Sequence, residues 1–85
     1  MNFRKFIFSD DIFSYFECMI DLDELDSMED IVHEATHILK SKLQELKMNC
    51  LISKLDTKKF HIHDKTFESI LLSEPNQIYY ICGHH

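Results

Sequence analysis

The longest periodic pattern of apolar positions in the chain runs from Met28 to Lys47. Apolar side chains recur there every three or four residues, a spacing that places them on one stripe of an α-helix. They are Ile31, Val32, Ala35, Ile38, Leu39, Leu43 and Leu46. Ser27 followed by Asp30 has the form of a helix N-cap, and Asn49 is a residue type at which helices end. The pattern therefore predicts one long amphipathic helix.

Two further elements are predicted before this helix. Phe3 to Phe8 is rich in aromatic side chains and predicts a strand, with an early start of the next helix as the alternative. Asp11 to Leu22 carries apolar residues at helical spacing and predicts a first long helix. Its apolar stripe consists of Ile12, Phe13, Phe16, Met19 and Ile20. The acidic run from Asp21 to Asp30 then predicts a solvated connector.

The segment after the main helix is less regular. Cys50 to Leu55 fits either an extension of the helix or a strand. Lys59 to His63 alternates polar and apolar residues and predicts a half-buried strand. In such a strand Phe60 would face the core, whereas His61 and His63 would share the opposite face.

The last two predicted elements complete the fold. Thr66 to Leu72, capped by Asp64, predicts a short helix, and the nearly all-apolar run from Ile78 to Cys82 predicts a central strand. The whole order of elements predicts an α+β fold in a single domain of residues 1–85. We expect a small sheet of three or four strands, with two long amphipathic helices and one short helix packed on one face. The strand order does not follow from the sequence.

Charge and composition narrow the classes of function. The formal net charge of −6 disfavours binding to nucleic acid and to anionic membranes. No apolar run approaches the ~20 residues of a membrane-spanning helix. Three widely spaced cysteines and no secretory leader predict reduced thiols in an intracellular compartment, cytoplasmic or nuclear. The excess of Lys, Ile, Asn and Phe over Ala and Gly is typical of an AT-rich genome, such as that of a virus or a parasite.

His33, Glu34 and His37 form the pattern H-E-x-x-H on the predicted long helix. This spacing puts two imidazoles one helical turn apart, so both can bind one zinc ion, and the glutamate can activate a metal-bound water. The surrounding residues, VHEATHIL, resemble the zincin pattern of metallopeptidases. The resemblance implies a zinc hydrolase with His33 and His37 as ligands and Glu34 as the general base.

The same three residues also have a structural interpretation, which we favour. Both histidines lie roughly 150–180° from the centre of the apolar stripe, so they face away from the core. Zincins build a sheet before the active helix, whereas at most one strand is predicted here, and Asp30 stands where the pattern is usually uncharged. The candidates for a third ligand follow no recognised spacing: His61, His63, Glu68 and Cys82. The histidine pair is therefore predicted to face bulk water.

A second candidate metal site consists of His61, His63 and Cys82. Alternation along a strand puts the two imidazoles on one face, and the thiolate could complete a structural zinc site. We favour an exposed strand face without metal, because zinc modules usually carry paired ligand motifs at both ends of the site. The run from Gly83 to His85 could be the start of a purification tag, so His84 and His85 carry no argument.

The sequence thus favours a small intracellular, non-catalytic protein-binding or accessory module, virus-encoded in one reading, with no cofactor. High aromatic content in so short a chain predicts exposed apolar surface and hence a homodimer. A minimal zinc hydrolase built on the H-E-x-x-H motif is the alternative. A structural zinc module built on the second cluster is the second alternative. The protein partner cannot be named from the sequence.

Overall fold

The computed structural model describes residues 1–14 and 16–83, and within them the chain has an α+β fold. Four strands form one mixed sheet, namely β1 (Phe3–Ser9), β2 (Glu17–Asp21), β3 (Phe60–His61) and β4 (Ile78–Gly83). Three α-helices accompany them, namely α1 (Met28–Glu45), α2 (Asn49–Ile52) and α3 (Phe67–Leu71). The strand order is β2-β1-β4-β3, with β1 and β4 parallel and the two outer pairs antiparallel.

The long helix predicted from Asp11 to Leu22 is wrong. Glu17–Asp21 is instead strand β2, which pairs with β1 in an antiparallel hairpin. Cys18 and Ile20 are buried whereas Met19 between them is 51% exposed, which is the two-residue period of a strand. Backbone pairing with β1 therefore overrides the helical spacing of the segment. Tyr15, which the predicted helix included, lies outside the described residues.

Helix α1 confirms the main prediction. The Ser27 side chain accepts a hydrogen bond from the Asp30 amide at 3.2 Å, as the N-cap pattern predicts. The helix ends at Glu45, earlier than Asn49, and Lys47, two residues later, has a φ of 57° in the left-handed region. Lys47 N donates to Gln44 O, and Met48 N donates to Leu43 O, which together form a Schellman motif. Helix α2 begins at Asn49. The first residues of the segment from Cys50 to Leu55, for which the sequence allowed a helix or a strand, are therefore helical.

The predicted short helix is present but has a different cap. Thr66, rather than Asp64, caps α3: its side chain accepts from the Ser69 amide, and the Ser69 hydroxyl accepts from the Thr66 amide, both at 3.1 Å. This reciprocal pair is a capping box with serine in place of the usual glutamate. Asp64 has a φ of 56° and forms a left-handed turn before the helix.

The sheet has two faces of different character. Alternation along the strands and the pairing register assign each residue to one face. The inner face joins the buried stripe of α1 in one core, and its strand residues are Phe6, Phe8, Cys18, Ile20, Phe60, Tyr79 and Ile81. The opposite side, called the outer face below, carries Phe3, Lys5, Ile7, Glu17, Met19, His61, Ile78, Tyr80 and Cys82.

One charged residue lies on the inner side. Arg4 is only 3% exposed, yet each of its five N–H groups has an acceptor. Nε donates to the Ser73 hydroxyl, Nη1 to the Asn2 side chain and to Phe3 O, and Nη2 to Leu71 O and Ser73 O. The guanidinium therefore ties strand β1 to the chain that follows α3.

Gly83 is the last residue of β4 and pairs with Phe60 of β3. A Cβ atom at this position would collide with the carboxylate of Asp10. That carboxylate accepts hydrogen bonds from the amides of Ile12 and Phe13, so it cannot move away without loss. The absence of a side chain at Gly83 is thus a packing requirement. The assignment of residues 83–85 to a tag stays a prediction, and His84 and His85 lie outside the described residues.

Candidate functional site

The H-E-x-x-H residues lie in the first half of α1. His33, Glu34 and His37 are all exposed, whereas Ala35 between them is completely buried. The cause is the apolar stripe, which turns the helix so that the histidines face away from the sheet. Across residues 1–14 and 16–83, no three His, Cys, Asp or Glu side chains converge in a way that could hold a metal ion. The zinc-hydrolase alternative therefore stays a prediction.

His33 borders a groove that the sequence did not predict. The groove has a volume of about 760 Å³ and lies between the start of α1 and the segment from Leu55 to Lys65. Its apolar lining consists of Met28, Val32, Leu55, Phe60 and Ile62. His61 borders it as well, so the two histidine clusters approach one groove from opposite sides. The groove is also lined by two acidic residues, Glu29 and Asp56, and by two basic residues, Lys58 and Lys65.

Glu34 acts electrostatically on the inner thiol of β2. Burial, and then the negative charge of Glu34, raises the pKa of Cys18 from 9.0 to about 11. The Cys18 thiol consequently stays protonated near neutral pH, which is the opposite of what a nucleophilic cysteine needs. Cys18 therefore belongs to the core, in keeping with its 6% exposure. The two remaining thiols are more accessible, since Cys50 is exposed and Cys82 is half-buried.

The second predicted cluster is partly assembled. Nε2 of His61 lies 2.7 Å from Nε2 of His63, and the two ring planes are nearly perpendicular, at 87°. Cys82 pairs with His61 across strands β3 and β4, so both belong to the outer face. In the described part of the chain, Cys82 does not join the histidines in a three-donor set. The imidazole pair is thus formed, whereas the predicted triad is not.

The outer face of the sheet is the largest functional candidate that sequence reasoning missed. Its large apolar side chains remain substantially exposed: Phe3 by 41%, Met19 by 51%, Ile78 by 43% and Tyr80 by 54%. One ion pair lies among them, with Lys5 Nζ 3.9 Å from Glu17 Oε2. The sequence carried little signal for it, because Cys18, Met19 and Ile20 are three consecutive apolar residues and only their burial alternates. A strand assignment would have placed Met19 beside Lys5 on this face.

The described part of the chain contains no helix that combines the length and the apolar character needed to cross a membrane. Comparison with models of protein families, with curated proteins and with solved structures gave no significant match.

Proposed function

We propose that this protein is a non-catalytic interaction module that associates with a second copy of itself through the outer face of its sheet. The supporting observation is the group of four apolar side chains that surround Lys5 on that face, each 41–54% exposed. A group of large exposed apolar side chains on one sheet face is a feature of interaction sites. Covering them removes apolar area from water at a gain of about 25 cal/mol per Å².

The distribution of charge supports a second copy as the occupant. The chain as a whole carries a net charge of −6, which would repel an identical chain at most orientations. On the outer face, Lys5 and Glu17 form an ion pair whose side chains are about half exposed, and Asp21, opposite Phe3, adds one negative charge. A two-fold axis through this face would set the lysine of each copy near the glutamate of the other, as an isologous interface requires.

The shape of the surface suits the same arrangement. Two sheets pack face to face at a separation of about 10 Å, with their side chains interdigitated. Each protomer would keep α1 on its inner side, so the dimer would have four layers: helix, sheet, sheet and helix. Each sheet would then have both faces covered.

The small size of the face limits the strength of association. Four strands at about 4.8 Å spacing and five or six residues at about 3.3 Å rise give a surface of roughly 300 Å² in projection. A standard interface buries about 800 Å² per partner. We therefore propose a weak, reversible dimer, with a dissociation constant in the micromolar range or above.

Exposed Cys50 and half-buried Cys82 suit a reducing compartment, cytoplasmic or nuclear.

Sedimentation equilibrium over a wide range of protein concentration tests the proposal. Tyr80→Lys replaces an aromatic side chain of the outer face that is 54% exposed with a charged one and should weaken the dimer at least tenfold. Leu72→Lys is the matched control, because Leu72 is 88% exposed but follows α3 and does not belong to the sheet. A strict monomer at millimolar concentration contradicts the proposal, and so does equal weakening by the two substitutions.

A further inference from the structure

The two edges of the sheet differ in how well they are protected against pairing with a further strand. Strand β3, at one edge, consists of only two residues, Phe60–His61. Strand β2, at the other edge, has the five residues Glu17–Asp21, and it contains neither proline nor lysine, which commonly block an edge. In residues 1–14 and 16–83, no strand other than β1 pairs with β2. The β2 edge is therefore where this sheet could accept another strand.

The hydrogen bonds of the β1–β2 hairpin show which backbone groups this edge offers. Phe8 N donates to Phe16 O at 2.9 Å, and Leu22 N donates to Asn2 O at 3.0 Å. Both contacts continue the register of the hairpin, in which hydrogen-bonded pairs alternate with pairs that are not hydrogen-bonded. The even-numbered residues of β2 therefore bond to β1 through their backbone groups.

The odd-numbered residues of β2 direct their backbone N–H and C=O groups towards the open edge. They are Glu17, Met19 and Asp21, and their spacing is that of the hydrogen-bonded positions of an added antiparallel strand. Addition of an extended segment to such an edge is a recurring mode of peptide recognition. Backbone hydrogen bonds then provide the affinity, and pockets for alternate side chains provide the specificity.

A pocket lies between this edge and α1. It has a volume of about 540 Å³, and it is lined by Cys18 and Met19 from β2 and by Ile38 and Leu39 from α1, among others. Successive side chains of a strand point to opposite faces, so every second side chain of an added strand would lie on the inner side, next to this pocket. We therefore expect apolar side chains at those positions.

The charge along the edge is uneven. The C-terminal end of β2 begins the acidic run from Asp21 to Asp30. The Asp21 carboxylate accepts hydrogen bonds from two backbone amides, which lower its pKa and so keep it ionised near neutral pH. At the N-terminal end, Lys5 pairs with Glu17, and Lys42 lines the same pocket as Glu17. The acidic end of the edge thus attracts a basic partner.

An identical strand fits this edge poorly. The antiparallel register that uses all three odd-numbered residues of both strands would set Met19 of each copy opposite the other. It would also set each Glu17 opposite the Asp21 of the other copy. Like charges directly opposite one another destabilise a sheet. A strand with a basic residue opposite Asp21 has no such repulsion.

We propose that the β2 edge binds an extended segment of another protein, antiparallel to β2, in which basic residues precede alternating apolar residues. The basic residues face Asp21 and the acidic run after it. The apolar residues lie on the inner side, at the pocket beside α1, and the residue between them pairs with Met19. This inference does not depend on self-association, because it uses the edge of the sheet rather than its outer face.

Titration of the isotope-labelled full chain with the peptide KKRVTIT, followed by NMR, tests the proposal. In the proposed register the arginine lies opposite Asp21 and the first threonine opposite Met19, whereas the valine and the isoleucine are on the inner side. We expect the amide signals of β2 to shift on binding. The control peptide EEEVTIT keeps the apolar residues and reverses the charge, and it should bind at least tenfold more weakly.

Two N-methylated forms of the peptide give a matched pair that leaves the protein unchanged. A methyl group on the nitrogen of the first threonine removes a donor to β2 and should weaken binding at least tenfold. The same group on the isoleucine nitrogen, whose N–H points away from β2, should weaken binding much less.

Two protein variants complete the experiment. Asp21→Asn keeps an acceptor for the two backbone amides but removes the charge, and it should weaken binding about threefold. Tyr80→Lys changes the outer face two strands away from β2 and should bind the peptide as the parent chain does. Circular dichroism verifies that both variants keep the fold.

Four results would overturn the proposal. KKRVTIT fails to bind at millimolar concentration, or EEEVTIT binds equally well, or the two N-methylated peptides are weakened equally. The fourth concerns the Tyr80→Lys chain without peptide: slower hydrogen exchange of its Met19 amide at higher protein concentration would identify a second copy as the occupant of the edge. Each result can be obtained whether or not the parent chain dimerises in sedimentation.

Discussion

The two faces of the sheet are built from neighbouring residues but have opposite surroundings. Ile81 is completely buried on the inner face, whereas Tyr80, the preceding residue of the same strand, is 54% exposed on the outer face. Cys18 and Met19 differ in the same way on strand β2. Both faces carry large apolar side chains, but only the inner one lies against α1. The difference teaches that apolar content alone does not mark the core, because a covering layer decides which face becomes one.

The largest expected effect separates Ile81 from Tyr80. Ile81→Ala leaves a cavity between the sheet and α1 and should lower the free energy of unfolding by about 2–5 kcal/mol. Tyr80→Ala should lower the free energy of unfolding of the monomer by less than about 1 kcal/mol, since the Tyr80 ring is half exposed to water. Urea denaturation at a protein concentration where the monomer dominates measures both. Equal losses would show that the outer face is as well packed as the inner one.

A second comparison uses the charged neighbours Arg4 and Lys5. Arg4→Ala leaves the partly buried carbonyl groups of Phe3, Leu71 and Ser73 without this donor and should cost about 1–3 kcal/mol of stability. Lys5→Ala removes only a long, exposed ion pair and should change stability by less than about 0.5 kcal/mol. Thermal unfolding of the two variants and of the parent chain measures how much stability each substitution removes. A tolerated Arg4→Ala would mean that water reaches the inner face at this end.

The smallest expected effect concerns the thiols of the two faces. The pKa of Cys18, raised to about 11 in the folded chain, means that the unfolded thiol loses its proton first as the pH rises above 9. Stability should therefore fall as the pH rises from 9.0 towards about 11, by about 1 kcal/mol per pH unit. In Cys18→Val this part of the pH dependence should disappear. Urea titrations at the two pH values provide the measurement.

Labelling with a thiol reagent compares the accessibility of the thiols on the two faces without a change of pH. Cys82 on the outer face and exposed Cys50 should react readily, whereas Cys18 should react only when the chain opens. Mass spectrometry of the labelled chain identifies the modified residues. Labelling of Cys18 at the rate of Cys82 would indicate that β2 separates easily from α1.

The parts of the fold that could be predicted are those in which local pattern and tertiary packing agree. Helix α1 combines a continuous apolar stripe with a capped start, and β1 and β4 are short runs of strand-forming residues. The segment from Asp11 to Leu22 failed because its apolar residues fit two periods, and pairing with β1 decided between them. The strand order is set by contacts far apart in sequence, which no local pattern specifies.

The candidate sites were predictable to a similar degree. The predicted strand from Lys59 to His63 is present only at Phe60–His61, so strand alternation did not place His63. The 2.7 Å approach of the two imidazoles follows from a turn that the sequence did not reveal. The outward direction of His33 follows from the helical wheel, whereas its position beside a groove depends on how the later segment from Leu55 to Lys65 folds back. The outer face depended on β2, so its prediction failed with that element.

The parallel pairing of β1 and β4 has a consequence for how the chain reaches its native state. These two strands occupy the centre of the sheet, yet Phe6 and its partner Tyr79 are separated by most of the sequence. The central ladder consequently cannot form during synthesis until β4 has left the ribosome. Until then β1 has only the β2 hairpin as a partner, and its other edge is open to unwanted strands. A long closing loop of this kind also predicts slow folding for so small a protein.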